Sequence, residues 1–317
     1  MKIYLGAYYQ SRLAVPDTTS AHMRIAQLAR RYPHMLESFH YMSPKMVDAI
    51  RANNNHTVFL DSGAFSAFTQ GTTIDINEYA KFIREHPDIV AVASNLDVIG
   101  RDASAAAATY ENQKKLEALG VKVCPVHHVR DDDYWLEKYL GEGYPYIFLG
   151  GMVPETIPTL RLWLRHVWRR YLLNEDGTAR VKVHGFGLTN LELMFRHPWH
   201  SVDSTSWAMT AQYGGVLIDF PRPSGRVRTV KVDFSNKSGK RYDVNSWHFN
   251  SLIKPLRNVV VARLEQLEAE RSKEPEVEAQ LEEETGYKQG FNPVALAESY
   301  GWRDYFNIEF FRRAMSR

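Results

Sequence analysis

The 317-residue chain lacks the features that define disulfide-stapled, thiolate-zinc and membrane-spanning proteins. Its only cysteine is Cys124, which excludes an intramolecular disulfide and a zinc site built from several thiolates. No run of about 18 apolar residues occurs, and the opening MKIYLGAYYQ lacks the long apolar stretch of a signal peptide. We therefore expect a cytoplasmic protein that does not span a membrane.

Charge of either sign is nearly balanced over the whole chain but uneven along it. The formal net charge is +2, from 39 Lys and Arg against 37 Asp and Glu. Residues 261–317 hold 8 of these basic residues and 12 of the acidic ones, leaving 31 and 25 for residues 1–260. The larger part of the chain is therefore mildly basic, which suits a polyanionic substrate without requiring one.

A repeated pattern runs through the chain as far as Trp207. Short, β-branched apolar runs end in Gly, Asp, His or Ser, and segments with helical periodicity lie between them. This alternation predicts a parallel α/β sheet closed into a (β/α)8 TIM barrel, with a doubly wound open sheet as the alternative. The predicted strands are KIYLGAYY (2–9), a weaker SFHYM (38–42), VFLDSGAF (58–65), VAVASNLD (90–97), VKVCPVHH (121–128), YIFLGG (146–151), VKVHGFG (181–187) and HSVDSTSW (200–207).

The pattern changes after the last of these strands. Residues 213–244 contain two strand-like runs joined by a Pro-Ser-Gly turn, which predicts a basic β-hairpin insertion. Residues 245–317 are largely helical in pattern and end in an aromatic-rich segment able to pack on the barrel. We therefore expect a single TIM-barrel catalytic domain over residues 1–317, with the hairpin as an insertion and a helical C-terminal region.

Polar residues and glycines occupy the ends of the predicted strands. The carboxyl ends of barrel strands converge on one mouth, so these residues are expected to lie together. A single aspartate at the end of a strand is more often a helix cap or a loop anchor, and it is the joint occurrence at the strand ends that favours a functional site. Three carboxylates in one cleft would raise one another's pKa values and could divide acid, base and nucleophile roles. The set comprises Asp61, Ser62, Asp97, His127, His128, Gly150, Gly151, His184, Gly185, Asp203 and Ser204.

Several of these strand ends resemble motifs of the tRNA-guanine transglycosylase (queuine tRNA-ribosyltransferase) family, in the family's order. The FLDSGAF segment (59–65) resembles its DSGG-aromatic motif, with Ala64 in place of the second glycine. The other matching segments resemble the strands bearing the base-recognising aspartate, the GG-Leu pair, the G-x-G pair and the nucleophilic aspartate. They are Leu96–Asp97, FLGGM (148–152), VHGFG (183–187) and SVDS (201–204).

One departure from the family bears on the substrate. Members that act on tRNA usually carry a zinc subdomain of three cysteines and a histidine after the nucleophile strand, which a chain with one cysteine cannot build. The segment SVDSTSW (201–207) is more similar to zinc-free DNA-guanine transglycosylases (DpdA) of phages and bacterial modification clusters. The resemblance implies exchange of guanine in DNA for a 7-deazaguanine of the preQ0 type, without a cofactor or metal, in the host cytoplasm if the chain is phage-encoded.

The resemblance also assigns roles to residues. Asp203 would be the nucleophile that forms a covalent aspartyl-deoxyribosyl intermediate, and Asp61 the acid and base that serves the departing and incoming purines. Asp97 would accept hydrogen bonds from the guanine edge. Phe65 and His184 would sandwich the ring, and backbone amides of the glycine pair would reach O6. The substrate-binding set is Ser62, Phe65, Asp97, His127, Gly150, Gly151, His184 and Gly185, with His127 equally open to a structural role.

The predicted hairpin offers a surface for the phosphates of a polyanion. We expect contacts from Arg222, Arg226, Arg228, Lys231, Lys240 and Arg241. The expected partners are DNA, a 7-deazaguanine co-substrate and a helper protein that opens the duplex. The alternatives are a tRNA substrate, a catalytically silent nucleic-acid-binding subunit, and a barrel hydrolase such as a nucleosidase that uses the same carboxylates.

Overall fold

The computed structural model describes residues 1–13, 32–52, 57–100, 103–153, 155–221, 227–239, 247–271, 296–297 and 300–315. Contacts within the chain divide it into two compact units. The first comprises Met1–Gln10 and His34–Ser204, and the second comprises Ser11–Pro33 and Thr205–Arg317.

The first unit is built on eight parallel strands, as the sequence predicts. Their order in the sheet is β4-β3-β2-β1-β8-β7-β6-β5, so that the first strand pairs in parallel with the last. The strands are β1 (Lys2–Gly6), β2 (Met35–Ser38), β3 (Val58–Asp61), β4 (Val90–Ala93), β5 (Val126–His128), β6 (Tyr146–Gly150), β7 (Lys182–Gly185) and β8 (Ser201–Ser204).

The two outer strands of this order, β4 and β5, are joined just beyond their regular segments. Ser94 and Cys124 form a parallel bridge, in which the Cys124 N–H donates to the Ala93 carbonyl and the Asn95 N–H donates to the Cys124 carbonyl, both at 2.9 Å. Since these bonds close the sheet on itself, the eight strands form the (β/α)8 barrel that the strand-helix alternation predicts.

Helices follow the strands and cover the barrel. One of them, α4, begins at a cap that its sequence encodes, because the Asp75 carboxylate accepts hydrogen bonds from the amides of Asn77 and Glu78. A 3-10 turn (Phe39–Tyr41) follows β2, and a π-helical turn (Trp168–Leu172) continues α7. The helices are α1 (Tyr8–Leu13), α2 (Pro44–Ala52), α3 (Ala64–Thr69), α4 (Ile76–Glu85), α5 (Ala103–Ala118), α6 (Asp133–Gly141), α7 (Ile157–Val167) and α8 (Leu191–Met194).

The second strand lies earlier in the sequence than predicted. The strand runs over Met35–Ser38, and most of the predicted segment 38–42 forms the 3-10 turn. Its aromatic residues pack outward, with the Phe39 ring 5.1 Å from that of Tyr79. The strand itself contains the fully buried Glu37, whose carboxylate accepts a hydrogen bond from the first-turn amide of Tyr9 in α1. A buried acidic residue that caps a helix hides the strand from a search for apolar runs.

Large side chains from several strands fill the barrel interior. Tyr4, Leu36, Phe59, Val126 and Phe148 form one buried cluster. The rings of Phe59 and Phe148 lie 4.9 Å apart, and Tyr4 meets Phe59 edge-on at 5.3 Å. The barrel interior is therefore a packed core rather than a channel.

The second unit contains the predicted hairpin. Its elements are α9 (Ser206–Gln212), β9 (Gly215–Pro221), β10 (Val227–Asp233), β11 (Trp247–His248), a 3-10 turn (Phe249–Ser251), α10 (Lys254–Arg271) and α11 (Tyr300–Met315). Strands β9 and β10 pair antiparallel, and β11 adds parallel to β10. The buried Asn307 of α11 accepts from the Leu217 amide and donates to the Trp207 carbonyl, which ties the helix to this sheet. Over the described residues, no helix has the length and apolar character needed to cross a membrane.

Candidate active site at the barrel mouth

A cavity of about 370 Å³ opens at the carboxyl ends of strands β3 to β7. Its size lies within the roughly 300–1,000 Å³ typical of small-molecule sites, and this end of a (β/α)8 barrel is where active sites form. The lining combines titratable side chains, aromatic rings and glycine backbone. The first group includes Asp61, Asp97 and His128, and the second comprises Phe65, Phe68 and Phe186.

Asp61 ends β3 and is the most strongly perturbed carboxyl group at the mouth. Burial, and then the charges of Asp97 and Asp203, raise the pKa of Asp61 to about 7. Its Oδ2 accepts a hydrogen bond of 3.0 Å from the Gly63 amide, and its Oδ1 lies 3.5 Å from the Ser94 hydroxyl. A large fraction of Asp61 is thus protonated near neutral pH, as a general acid requires.

The turn after Asp61 requires glycine at position 63 and accommodates alanine at position 64. Gly63 has a φ of +83°, and a side chain there would meet Ser38 Oγ at 2.3 Å. Ala64 already starts helix α3, where alanine is favourable. Ser62 is fully buried, and its Oγ accepts from the Ala64 amide and donates to Asp97 Oδ1, each at 3.3 Å. Ser62 thus supports Asp97 from below.

Asp97 forms an ion pair with His128, the last residue of β5. The Nε2 of His128 lies 2.8 Å from Asp97 Oδ2, and both side chains are 13% exposed. Burial alone would lower the pKa of His128, but the hydrogen bond and charge of Asp97 outweigh it, and the pKa is raised. A carboxylate can accept about four hydrogen bonds, so Asp97 keeps capacity for a ligand beside those from Ser62 and His128.

Gly150 and Gly151 line the cavity, and both also make room for His128. A methyl group at Gly150 would lie 2.7 Å from the His128 Cδ2 atom. At Gly151, which has a φ of +68°, it would lie 3.2 Å from the His128 Cβ atom. The glycine pair is therefore required for the seating of this histidine, in addition to any approach of a ligand to the backbone.

Asp203 of β8 lies deeper than the other two carboxylates and is 6% exposed. Its Oδ1 accepts hydrogen bonds from the Gly187 amide at 2.7 Å and from His184 Nε2 at 3.3 Å. Within the described part of the chain, no hydrogen bond involves Asp203 Oδ2. Gly187 itself lines the cavity, which places Asp203 directly behind the cavity wall.

His184 does not lie where a base could stack on it. Its ring is fully buried in the barrel interior, with Phe59, Phe148 and Phe186 at centroid distances of 4.5, 5.2 and 4.9 Å. The sequence predicts a strand that extends to Gly187, whereas β7 ends at Gly185. His184 therefore lies one layer below the mouth of the barrel. Its polar contacts are with Asp203 and with Ser201. The expectation that it flanks the purine is therefore wrong for this structure.

Two other predicted site residues also point away from the cavity. His127 is fully buried, and its ring stacks on Trp163 of α7 at 6.2 Å. Within the described residues, neither ring nitrogen has a hydrogen-bond partner. Burial lowers the pKa of His127 to about 4. Gly185 faces Trp199, whose ring atoms would lie 3.1 Å from a side chain there. Of the two readings of His127, the structure favours the structural one.

Phe65 and Phe68 stand on one side of the cavity, one turn apart on α3. Their exposed fractions are 51% and 61%, which are unusually high for phenylalanine. Both rings line the cavity, with Phe186 on β7's side. This arrangement offers flat apolar faces to a ring-shaped ligand.

The basic hairpin residues are only partly placed by the structure. Arg228 lies over the Trp247 ring at 5.7 Å, and Lys231 Nζ pairs with Asp233 Oδ1 at 2.9 Å. The four others, Arg222, Arg226, Lys240 and Arg241, lie outside the described residues. Contact of the hairpin with phosphate therefore remains a prediction.

Three residues of the site have no role in the prediction from sequence. His128 belongs to the strand-end set, but consecutive histidines leave open which one faces the mouth. Gly187 is part of the VHGFG segment, yet its amide contact with Asp203 depends on the turn after β7. Ser94 is fully buried, accepts from the Ser62 amide at 2.9 Å and reaches Asp61, with no sequence signal beyond its place after β4.

Among the described residues, no three His, Cys, Asp or Glu side chains are arranged to hold a metal ion.

Comparison with known proteins does not identify the function of the chain. No protein-family model matches the chain, and no curated protein matches it. Among solved structures, it is similar to the 4-hydroxy-2-oxoglutarate aldolase/2-deydro-3-deoxyphosphogluconate aldolase from TTHB1, with 12% identity, a TM-score of 0.37, and coverage of 61% of this chain and 80% of that one. A likeness this weak carries no inference about activity, so function has to be argued from the site itself.

Proposed function

We propose that the chain is a base-exchanging transglycosylase that replaces guanine in DNA with a 7-deazaguanine. The observation that carries the proposal is the separation of three neighbouring carboxylates into different environments. Asp61 has a pKa of about 7, whereas Asp97 and Asp203 each accept two hydrogen bonds. A retaining exchange at C1′ needs such a pairing of a protonated carboxyl group with an ionised nucleophile.

Recognition of the purine is assigned to the upper wall of the cavity. Asp97 would accept hydrogen bonds from N1–H and the exocyclic amine of guanine, using lone pairs that Ser62 and His128 leave free. Phe65 would stack on the ring, and the Gly150–Gly151 backbone would approach O6. The target nucleotide must leave the base stack to enter, because C1′ cannot be reached inside a duplex.

The first displacement would use Asp203 and Asp61 together. Asp203 Oδ2 attacks C1′ as the C1′–N9 bond breaks, and the electron pair of that bond passes to the purine. Asp61 donates its proton to the departing guanine and becomes a carboxylate. The product of this half-reaction is a deoxyribosyl ester on Asp203, with inversion at C1′.

The second displacement reverses these roles. N9 of the incoming 7-deazaguanine attacks C1′, the ester bond breaks, and its electron pair returns to Asp203. Asp61 accepts the proton that the new base loses, so the enzyme regains its starting state. Two inversions restore the original anomer, and no water or redox partner is consumed.

The test is covalent trapping on nucleic acid. Purified protein is incubated with a guanine-containing DNA oligonucleotide, and the intact mass of the protein is measured, with tRNA in a parallel sample. We expect an adduct with DNA that is absent in Asp203→Asn, and incorporation of labelled guanine into the same oligonucleotide. Gly141→Ala serves as a control, because Gly141 has open space around it and lies at the C-terminal end of α6.

Each other outcome selects a different function. An adduct with tRNA alone would make tRNA the substrate, in conflict with the missing zinc ligands. Release of free base without incorporation would indicate a nucleosidase. Binding of DNA that is equal in the parent and Asp203→Asn, with no adduct and no exchange, would identify a silent binding subunit and overturn the proposal.

A further inference from the structure

A continuous chain of buried hydrogen bonds runs beneath Asp203. Tyr146 Oη lies 2.5 Å from Ser201 Oγ, and Ser201 Oγ lies 2.6 Å from His184 Nδ1. His184 Nε2 then reaches Asp203 Oδ1 at 3.3 Å. The chain joins β6, β7 and β8 across the barrel interior, and Ser201 and His184 are fully buried.

The surroundings of His184 favour its neutral form. Its ring lies among Phe59, Phe148 and Phe186, and Tyr4 meets it edge-on at 6.1 Å. Burial lowers the pKa of His184, although the neighbouring Asp203 acts in the opposite direction. A neutral imidazole has one N–H, so only one of its two nitrogens can donate.

The partners decide which nitrogen carries that proton. An ionised Asp203 can only accept, so Nε2 must donate to it, and Nδ1 must then accept from the Ser201 hydroxyl. Ser201 can accept in turn from Tyr146, whose pKa burial raises and which therefore stays protonated. Every donor in the chain then points towards Asp203, an arrangement in which successive hydrogen bonds strengthen one another. The opposite tautomer would set a lone pair of Nε2 against the carboxylate.

We propose that His184 is a positioning residue for Asp203, held in its Nε2–H tautomer by Ser201 and Tyr146. Together with the Gly187 amide, it fixes Oδ1 from behind and leaves Oδ2 as the attacking oxygen. The inference rests on the proposed role of Asp203 as nucleophile. The tautomer itself, however, is a property of the resting protein and can be measured without any substrate.

The first test is therefore spectroscopic. In protein with ¹⁵N-labelled histidine, the signals lost in His184→Gln identify His184, and ¹⁵N chemical shifts distinguish a protonated from an unprotonated ring nitrogen. We expect a neutral ring with its proton on Nε2 at pH 7, and a disturbed Nε2 signal in Asp203→Asn. A charged ring, or a proton on Nδ1, would overturn the inference whatever the activity.

The second test separates positioning from packing. Glutamine can place an amide donor near the Nε2 position, asparagine near Nδ1, and phenylalanine fills the space without a donor. Relative to the parent, we expect His184→Gln to retain most of the rate of adduct formation. His184→Phe and His184→Asn should lower it by about 10- to 100-fold, as removal of a hydrogen-bond partner behind a functional group commonly does. The loss should appear in kcat with little change in KM, since Asp97 and Phe65 bind the base.

A weaker effect is expected from Tyr146, which lies further along the chain of hydrogen bonds. Tyr146→Phe removes one neutral hydrogen bond and should lower the rate about 2- to 10-fold. Equal rates in folded His184→Phe and parent protein would refute the positioning role. Absence of exchange in the parent, with the Nε2–H tautomer in place, would instead refute the proposed function and leave the hydrogen-bond geometry intact.

Discussion

Replacement of Gly150 by alanine should detach His128 from Asp97. The new methyl group would lie 2.7 Å from His128 Cδ2 and 3.1 Å from Nε2, where ordinary contacts lie at 3.4–4 Å. The imidazole therefore has to retreat by about 0.7 Å. A retreat of that size is enough to carry the 2.8 Å bond to Asp97 past the normal hydrogen-bond range of roughly 3.2 Å.

The energetic cost follows from the kind of bond that is lost. A hydrogen bond between charged partners contributes about 1.5–3 kcal/mol, so the free energy of unfolding should fall by about 2 kcal/mol. Because Asp97 is what raises the pKa of His128, that pKa should fall in Gly150→Ala. Urea denaturation measures the first effect, and NMR titration of His128 measures the second. Gly141→Ala is the control, since an alanine there meets no atom within 4 Å and should leave both unchanged.

A double-mutant cycle makes the reasoning refutable. In His128→Ala, the ring that meets the new methyl group is gone, so Gly150→Ala should then cost much less. Val126 Cγ1 would still lie 3.2 Å from the methyl group and accounts for a small remaining cost. An equal cost in both backgrounds would show that Gly150 is needed for some reason other than the seating of His128.

Three further predictions concern titration and stacking. The pKa of Asp61 is raised from 3.8 to about 7, so its burial should destabilise the fold progressively as pH rises from about 4 to 7; Asp61→Asn should remove this slope from thermal unfolding and also abolish base exchange. The pKa of His127 is lowered from 6.5 to about 4, so stability should be lost as pH falls through this range, and His127→Phe should raise Tm at pH 5; an unchanged pH dependence would contradict the burial of a neutral ring. Phe65→Ala and Phe68→Ala should each weaken binding of single-stranded DNA by about 1–3 kcal/mol, whereas Phe195→Ala, equally apolar and 45% exposed but outside the cavity, should have no effect.

The sequence predicts the barrel because the alternation of strands and helices follows from the order of residue types along the chain. It also predicts that Asp61 and Asp97 lie at the mouth, since both follow apolar runs, and both line the cavity. The second strand escapes the same reasoning, because Glu37 interrupts its apolar character for the sake of capping a helix. Local sequence pattern therefore identifies strands made of apolar residues and misses one that contains a buried acidic residue.

The depth of a residue within the barrel is harder to predict than its strand. His184 and Gly187 are three residues apart in one motif, yet the first lies in the aromatic interior and the second lines the cavity. His127 and His128 are adjacent, and alternation sends one towards α7 and the other towards Asp97. Which layer and which face of the barrel a side chain occupies depends on the register between neighbouring strands. No single segment of sequence specifies that register.

That register also accounts for the different chemistry of the three carboxylates. Asp203 on β8 takes its donors from His184 of β7 and from the turn that follows it. Asp97, which follows β4, takes its donors from β5 and from the turn after β3. Burial of Asp61 and then the neighbouring charges of Asp97 and Asp203 raise its pKa, and backbone hydrogen bonds from its own turn, such as that from the Gly63 amide, do not outweigh them. Asp61 is therefore the carboxyl group that holds a proton near neutral pH, and a change that gave it a strong donor from β4 would lower its pKa and remove the proposed general acid while leaving Asp203, the proposed nucleophile, in place.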